Sequence, residues 1–188
     1  MLLALGPLQL DTTVRTVVVG VDTGTGPVEH AASGADAVWL CDGATAGRLE
    51  QLRQATGLPI GVSVEDLDRL DELVAAGAVA LESGSVGAVE AAAHQGLTLW
   101  CDPAQAEQAR RAGVPRERLV CEPAAGGSAV PGATVAGTGP ATWGAVARVV
   151  HDGARVVRTT DARSVRRVVT VADRLRAAHL ARHREPAT

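Results

Sequence analysis

The sequence predicts a small, single-domain α/β protein of the (β/α)₈ or TIM-barrel class, and three observations support this prediction. The chain of 188 residues is long enough for one sizeable core and too short for two full catalytic domains. Short apolar runs alternate with helical patterns, which is typical of βα units around a parallel sheet. Acidic residues recur where these runs end, whereas the sequence lacks the Leu or Asn ladder of a solenoid.

Eight apolar runs are predicted to be the strands of the barrel. They cover residues 16–22, 36–42, 59–64, 79–83, 97–102, 118–122, 134–137 and 155–161. The residues before them, 1–14, begin with an apolar run that lacks a basic start and is broken by Gly6 and Pro7, so a signal peptide or a membrane span is not expected. We expect this segment to form a strand or a plug under the barrel.

Six helices are predicted between and after the strands. They cover residues 45–56, 66–76, 86–95, 103–112, 142–152 and 162–182, and a glycine follows each of the first five, as expected for a C-terminal cap. Residues 124–133 carry Gly126, Gly127, Pro131 and Gly132, so we expect the helix after strand six to be shortened or missing. Residues 183–188 are expected to form a flexible tail.

Composition and charge argue against several classes of function. The net charge of −3 and the pI near 5.9 argue against a nucleic-acid partner, and a chain with no Phe or Tyr and only 3 Trp offers no aromatic stacking platform. All 18 basic residues are Arg, so the chain contains no Lys. The 3 cysteines lack zinc-type spacing, and their odd number favours reduced thiols in the cytoplasm.

Acidic residues fall at or just beyond seven of the predicted strand ends, where the active sites of such barrels lie. They are Asp22, Asp42, Glu65, Glu82, Asp102, Glu122 and Asp161. Helix capping explains Asp102 and Asp161 well, but it explains Glu82 and Glu122 poorly because glycine-containing loops follow both. Crowded carboxylates raise one another's pKa, so this acidic mouth indicates a hydrogen-bond-donating ligand, a bound cation or protonated partners.

Structural burial is the preferred interpretation of the cysteines, over a role as metal ligand or nucleophile, and none of the histidines is a catalytic candidate. Cys41, Cys101 and Cys121 each precede an acid of the mouth by one residue. Because side chains alternate along a strand, acids that point into the mouth would direct the cysteines toward the helices, where we expect slowly reacting thiols. The histidines, at positions 30, 94, 151, 179 and 183, are interpreted as lying on helices or in the tail.

An anion site is predicted after the seventh and eighth strands, the common phosphate position in barrels of this class. Gly137, Thr138 and Gly139 precede the next helix and offer backbone N–H groups, while Arg158 and Thr160 belong to the last strand. The glycine motif is equally compatible with a tight βα turn. Arg158, within an otherwise apolar strand, is the stronger indication.

Several stretches resemble dihydropteroate synthase, the barrel enzyme of folate synthesis that joins a pterin diphosphate to p-aminobenzoate. Residues 153–161, GARVVRTTD, are similar to the family's Gly-Ala, apolar run and Arg-Val-His-Asp before its last helix. Residues 113–123, GVPRERLVCEP, resemble its approach to Asp-Pro-Gly. Residues 58–63, LPIGVS, and 77–82, GAVALE, resemble its Pro-Ile-Ser-Val-Asp strand and its Gly-Ala strand ending in Asn-Asp. A weaker likeness at 34–38, GADAV, extends the resemblance to most of the chain.

The resemblance implies a site for a pterin. The pterin-contacting acid of the family corresponds to Ser63, its Asn to Glu82, and its Asp before Pro to Glu122. A buried carboxylate at 82 or 122 could accept from the adjacent amino group and ring N–H of a pterin. Since the acids of the mouth should repel one another, replacing Glu82 or Glu122 by Gln is expected to leave the empty protein equally or more stable.

The resemblance also implies that ordinary synthase activity is lost. The family's anion-binding Arg corresponds to Arg158, but its adjacent His corresponds to Thr160 and its Lys has no counterpart. An early Asn of the family falls near Asp22, and the rest of that loop is missing. One Arg is left to stabilise a departing diphosphate.

We therefore rank three functions. The first is a dihydropteroate synthase-like barrel that binds a pterin-like or other donor-rich heterocycle without the parent catalysis, as a homodimer or as a partner of an active synthase. The second is a small barrel enzyme that acts on a phosphorylated metabolite, with a mouth carboxylate as acid or base. The third is a barrel in which Mg²⁺ bridges several of the acids. No cofactor is expected under the first two, and no membrane or nucleic-acid partner under any.

Overall fold

The described residues form a closed barrel of eight parallel strands, which confirms the predicted fold class. The structure is a computed structural model that describes residues 1–23, 32–41, 43–85, 87–122 and 129–182. The barrel closes where its last strand pairs with its first, from Val156 opposite Val17 to Thr159 opposite Gly20. Its strands, in order, are β3 Val17–Asp22, β4 Ala37–Leu40, β5 Ile60–Ser63, β6 Ala78–Glu82, β7 Thr98–Cys101, β8 Leu119–Cys121, β9 Val130–Val135 and β10 Val156–Thr159.

Helices surround the barrel, and local sequence explains how they begin and end. At the start of the helix Pro103–Arg111, Asp102 Oδ1 accepts from the Gln105 N–H at 2.8 Å, and the Gln105 side chain accepts in return from the Asp102 N–H. None of the described helices is long and apolar enough to cross a membrane. The helices are α1 Ala46–Thr56, α2 Leu70–Ala75, α3 Ala88–Gln95, α4 Pro103–Arg111, α5 Pro140–His151 and α6 Ala162–Arg182, with 3₁₀ turns at Leu67–Arg69 and Arg116–Arg118.

The first residues form an antiparallel hairpin beneath the barrel. Strand β1 (Leu2–Leu5) pairs with β2 (Leu8–Asp11). The Thr98 hydroxyl, at the start of β7, donates to the Ala4 carbonyl and ties the hairpin to the barrel. The hairpin closes the barrel end opposite the mouth. Three of its buried side chains, Leu3, Leu5 and Leu10, pack against the barrel interior.

Two layers of apolar side chains, dominated by Val, Leu and Ala, form the core. The outer layer lies between strands and helices, and the inner layer fills the barrel. Trp39 and Trp100 meet edge to face in the inner layer, with ring centroids 5.5 Å apart. Gly61 lies opposite Trp39 on the neighbouring strand, where an added Cβ would stand 2.8 Å from Trp39 Cη2. The lack of a side chain at Gly61 therefore lets the Trp39 indole lie across the barrel.

The seventh barrel strand begins earlier than predicted. β9 starts at Val130, whereas the sequence predicts a strand over 134–137 because Pro131 and Gly132 indicate a loop. In the structure a Cβ on Gly132 would lie 2.6 Å from Val120 Cγ1, so the glycine permits close packing inside the strand. Residues 123–128, where the shortened helix is predicted, and the tail at 183–188 lie outside the described residues.

Candidate functional site

Side chains from several strands meet at the carboxyl ends of the barrel, opposite the hairpin. Two neighbouring cavities open there, of about 670 and 460 Å³. Glu82, Ser83 and Gly84 line both, so the end of β6 separates them. Ser63 and Glu65 line the larger cavity, whereas the smaller is lined by Trp100, Asp102, Glu122, Thr134 and Arg158, among others.

Glu82 and Arg158 form a bidentate ion pair across this mouth. Arg158 Nη1 donates to Glu82 Oε2 at 2.6 Å, and Nη2 donates to Oε1 at 2.9 Å. The Ser63 hydroxyl also donates to Oε2, at 2.7 Å. Burial alone would raise the pKa of Glu82, but the hydrogen bonds from Arg158 and Ser63 and the charge of Arg158 together hold it below its ordinary value. Glu82 is therefore ionised at neutral pH.

Both indoles of the inner layer support the ion pair. The guanidinium carbon of Arg158 lies 4.5 Å from the Trp100 ring centroid and 5.4 Å from that of Trp39. Trp39 Nε1 donates to Ser63 Oγ at 2.9 Å, which leaves the Ser63 proton for Glu82. The Arg158 side chain is 11% exposed, so it is held within the mouth rather than extended into solvent.

Glu122 is oriented by Thr134 on the neighbouring strand. The Thr134 N–H donates to Glu122 Oε1 at 2.7 Å, and its hydroxyl donates to Oε2 at 2.8 Å. Arg158 Nε donates in turn to the Thr134 hydroxyl at 3.1 Å. A continuous hydrogen-bonded series therefore runs from Glu82 through Arg158 and Thr134 to Glu122.

Asp22 points away from the barrel interior. On β3 the inward side chains include Val17 and Val19, so Asp22 falls on the outward series and meets α1. Arg48 Nε donates to Asp22 Oδ2 at 2.8 Å and Nη2 donates to Oδ1 at 3.1 Å, and the carboxylate is only 3% exposed. Asp22 lines neither mouth cavity. The structure thus separates it from Glu82 and Glu122.

The remaining acids have different environments. Asp102 caps α4, and Asp161 accepts from the Ser164 N–H at 3.1 Å at the start of α6, as the capping interpretation expects. Asp102 nevertheless lines the smaller cavity. Glu65 is exposed beside the larger one. Asp42 lies outside the described residues.

The predicted anion-binding residues do not come together in the mouth. Gly139 immediately precedes α5 with a φ of 87°, and both Thr138 and Thr160 are exposed. Gly137, Thr138, Gly139 and Thr160 line neither mouth cavity, while the Arg158 guanidinium is bound to Glu82. The structure therefore supports the tight-turn interpretation of the glycine motif at least as well as the phosphate interpretation.

The cysteines point in two directions. Cys101 and Cys121 lie in the outer layer, as predicted, and burial, with Cys121 and Asp102 nearby, raises the pKa of Cys101 to about 12. The prediction is wrong for Cys41, which packs against the inner layer with its Sγ 3.8 Å from Ser63 Oγ. The reason is the alternation along β4, where Trp39 points inward and residue 41 continues the same series.

Four side chains that shape this region, Trp39, Trp100, Thr134 and Arg48, were not predicted from the sequence. The sequence could have indicated Trp39 and Trp100, because they are the only aromatic residues within predicted strands. Nothing in the sequence distinguishes Thr134 and Arg48, since their roles depend on which neighbouring strand or helix they contact. In the described part of the chain no group of three or more His, Cys, Asp or Glu side chains is arranged to hold a metal ion. Of the histidines, those on α3, α5 and α6 line neither mouth cavity, and the two at 30 and 183 lie outside the described residues.

Comparison with known proteins identifies the fold. No protein-family model and no curated protein sequence matches the chain. Solved structures do match, among them a 7,8-dihydropteroate synthase from Vibrio fischeri ES114, with a TM-score of 0.79 and 12% identity over 94% of this chain and 98% of that one. A dihydropteroate synthase from Yersinia pestis gives a TM-score of 0.75 and 16% identity over 94% and 99% of the two chains. Mycobacterium tuberculosis Rv1207 gives 0.68 and 20% over 86% and 93%. At these identities the likeness shows a shared architecture, so the chain has the barrel fold of the dihydropteroate synthases.

Proposed function

We propose that this barrel binds a flat, pterin-like heterocycle in the smaller mouth cavity, and that it does so without ordinary dihydropteroate synthesis. The observation that carries the proposal is the Glu122 carboxylate, which Thr134 holds in one orientation at the wall of that cavity. The cavity volume of about 460 Å³ falls in the range of small-molecule sites.

Glu122 has acceptor capacity left for a ligand. An ionised carboxylate has about four lone-pair sites, two on each oxygen, and Thr134 uses one on each. One acceptor direction therefore remains on each oxygen, which matches a ligand with two adjacent donors. A pterin has an amino group beside a ring N–H and could donate to both oxygens. Trp100 and Arg158 line the same cavity, with the guanidinium carbon of Arg158 4.5 Å from the Trp100 ring centroid.

Glu82 is the weaker acceptor of the two acids. Its Oε2 already accepts from Ser63 and Arg158, and its Oε1 accepts from Arg158. One acceptor direction remains for a ligand, on Oε1. We therefore assign the paired donors of the ligand to Glu122, with Glu82 as a neighbouring single acceptor.

The charges of the mouth favour this ligand over a phosphorylated one. Arg158 is paired with Glu82, and Asp102 and Glu122 add negative charge to the same cavity. Departure of a diphosphate needs cations that stabilise the leaving group, and the chain contains no Lys to supply one. These observations support both the donor-rich ligand and the loss of ordinary synthase activity.

Thermal-shift and calorimetric titrations test the proposal. Pterin, a sugar phosphate and Mg²⁺ are each added to the protein, and pterin alone is expected to raise the melting temperature, because a ligand that binds the native state stabilises it. Glu122→Gln places an amide donor against ligand donors and should weaken pterin binding roughly 5- to 150-fold. Glu90→Gln, at an exposed position on α3, is the matched control. Stabilisation by the sugar phosphate or Mg²⁺ without pterin, or unchanged pterin affinity in Glu122→Gln, would contradict the proposal.

A further inference from the structure

The geometry points to Thr134 as the residue that sets ligand specificity at this mouth, because it fixes Glu122 as an acceptor of two adjacent donors and links it to Arg158. This inference rests on the proposed function and adds the residue that selects the ligand. Thr134 lies on β9, beside the strand that Glu122 follows. Its backbone and hydroxyl protons reach one carboxylate oxygen each.

The direction of the Thr134 hydroxyl proton follows from its surroundings. Arg158 Nε–H can only donate, and it donates to Thr134 Oγ1, so a lone pair of that oxygen is occupied. The hydroxyl proton is then directed to Glu122 Oε2, where the oxygen–oxygen distance is 2.8 Å. Because both carboxylate oxygens are engaged on the Thr134 side, the group presents acceptors to the cavity.

A similar arrangement holds the other acid. Trp39 Nε1–H donates to Ser63 Oγ, and the Ser63 hydroxyl donates to Glu82 Oε2. Each acid thus accepts a hydrogen bond from a hydroxyl, and the oxygen of that hydroxyl accepts a hydrogen bond from a donor-only N–H group. The two acids differ in the donor to the second oxygen, which is the backbone N–H of Thr134 for Glu122 and Arg158 Nη2 for Glu82. In Glu122 the Thr134 N–H and hydroxyl together restrict rotation of the carboxylate.

A fixed acceptor pair distinguishes ligands that differ at one atom. Pterin has an amino group next to its ring N–H, whereas pteridine-2,4-dione has a carbonyl oxygen at that carbon. The oxygen would face a Glu122 oxygen and leave two acceptors in contact. If the carboxylate could turn, as it could without the Thr134 hydroxyl, much of this discrimination would be lost.

Calorimetric titration of the two heterocycles tests the specificity role. We expect the unmodified protein to bind pterin at least roughly tenfold more tightly than the dione, since one mismatch between two acceptors costs about that factor. Thr134→Val keeps the shape and the backbone N–H but loses the hydroxyl, and it should reduce this ratio several-fold. Thr134→Ser should restore it, and Thr170→Val, on the exposed side of α6, should leave it unchanged. Equal weakening of both ligands in Thr134→Val would overturn the specificity role.

Proton exchange at Arg158 tests the same positioning without a ligand. The Nε–H signal of Arg158, assigned by its loss in Arg158→Lys, should exchange with water roughly fivefold faster in Thr134→Val, because the Thr134 acceptor is gone. Thr134→Ser should exchange as the unmodified protein does. Unchanged exchange in Thr134→Val would refute the positioning of Arg158 by Thr134 and leave the proposed function standing. If the unmodified protein bound neither heterocycle, the proposed function and the specificity role would both be wrong, and faster exchange would still support the positioning.

Discussion

Replacing Glu82 by Gln should destabilise the protein, although it removes a negative charge from an acidic mouth. Sequence alone predicts the opposite, because crowded carboxylates repel one another. In the structure Glu82 instead accepts two hydrogen bonds from Arg158 and one from Ser63. The variant leaves the 11% exposed Arg158 guanidinium with a neutral partner that can accept only through a single oxygen.

The size of the effect follows from these contacts. Hydrogen bonds to charged groups contribute about 1.5–3 kcal/mol each, and Gln retains one of the two from Arg158. Because Glu82 is 33% exposed, solvent screens part of the remainder. We expect a loss of about 2 kcal/mol in the free energy of unfolding, or roughly 4–8 °C in Tm for a domain of this size.

The stability difference between the unmodified protein and Glu82→Gln should depend on pH, in a direction set by the lowered pKa of Glu82. The folded-state pKa of Glu82 is lowered, so its contribution to stability is present above the ordinary carboxyl pKa and is lost as the pH falls through the folded value. The gap between the unmodified protein and Glu82→Gln should therefore be complete at pH 7 and shrink in acid. Urea unfolding followed by circular dichroism measures it, with Glu90→Gln as the control. A Gln variant of equal or greater stability at pH 7 would refute the dominance of the ion pair.

Three further predictions address packing, reactivity and activity. Gly61→Ala should lower the free energy of unfolding by about 1–3 kcal/mol and change the near-ultraviolet circular dichroism spectrum, because the added methyl group forces the Trp39 ring to move. The control Gly47→Ala, in α1, should leave stability unchanged or increase it. A Gly61→Ala protein with unchanged stability and spectrum would contradict the assigned Trp39 position. A maleimide should label Cys41 well before Cys101, whose pKa is about 12, and faster labelling of Cys101 would reverse this assignment. Incubation with pterin diphosphate and p-aminobenzoate should give no turnover comparable to a true synthase, as measured by product formation.

The fold was more predictable than the site, for physical reasons visible in particular residues. Strands of a parallel barrel are buried on both faces and therefore consist of continuous apolar runs, so all eight barrel strands could be located in the sequence. The start of the seventh barrel strand was placed wrongly, after Gly132, because the sequence cannot show that Val120 packs against this glycine from the neighbouring strand. The same limit applies to charges: Asp22, Glu82 and Glu122 look alike as acids at strand ends, yet they meet Arg48, Arg158 and Thr134 respectively.

The pairing of β3 with β10 has a consequence for how the chain reaches its native state. It joins residues 17–20 to residues 156–159, so the closing contact spans most of the sequence. Contacts between successive strands enclose far shorter loops and lose less chain entropy, which favours their formation first. During synthesis the edge of β3 then stays without its β10 partner until residues 156–159 have been made. Because exposed edges template intermolecular pairing, this interval is when the chain is most exposed to aggregation, and pairing of β10 with β3 ends it.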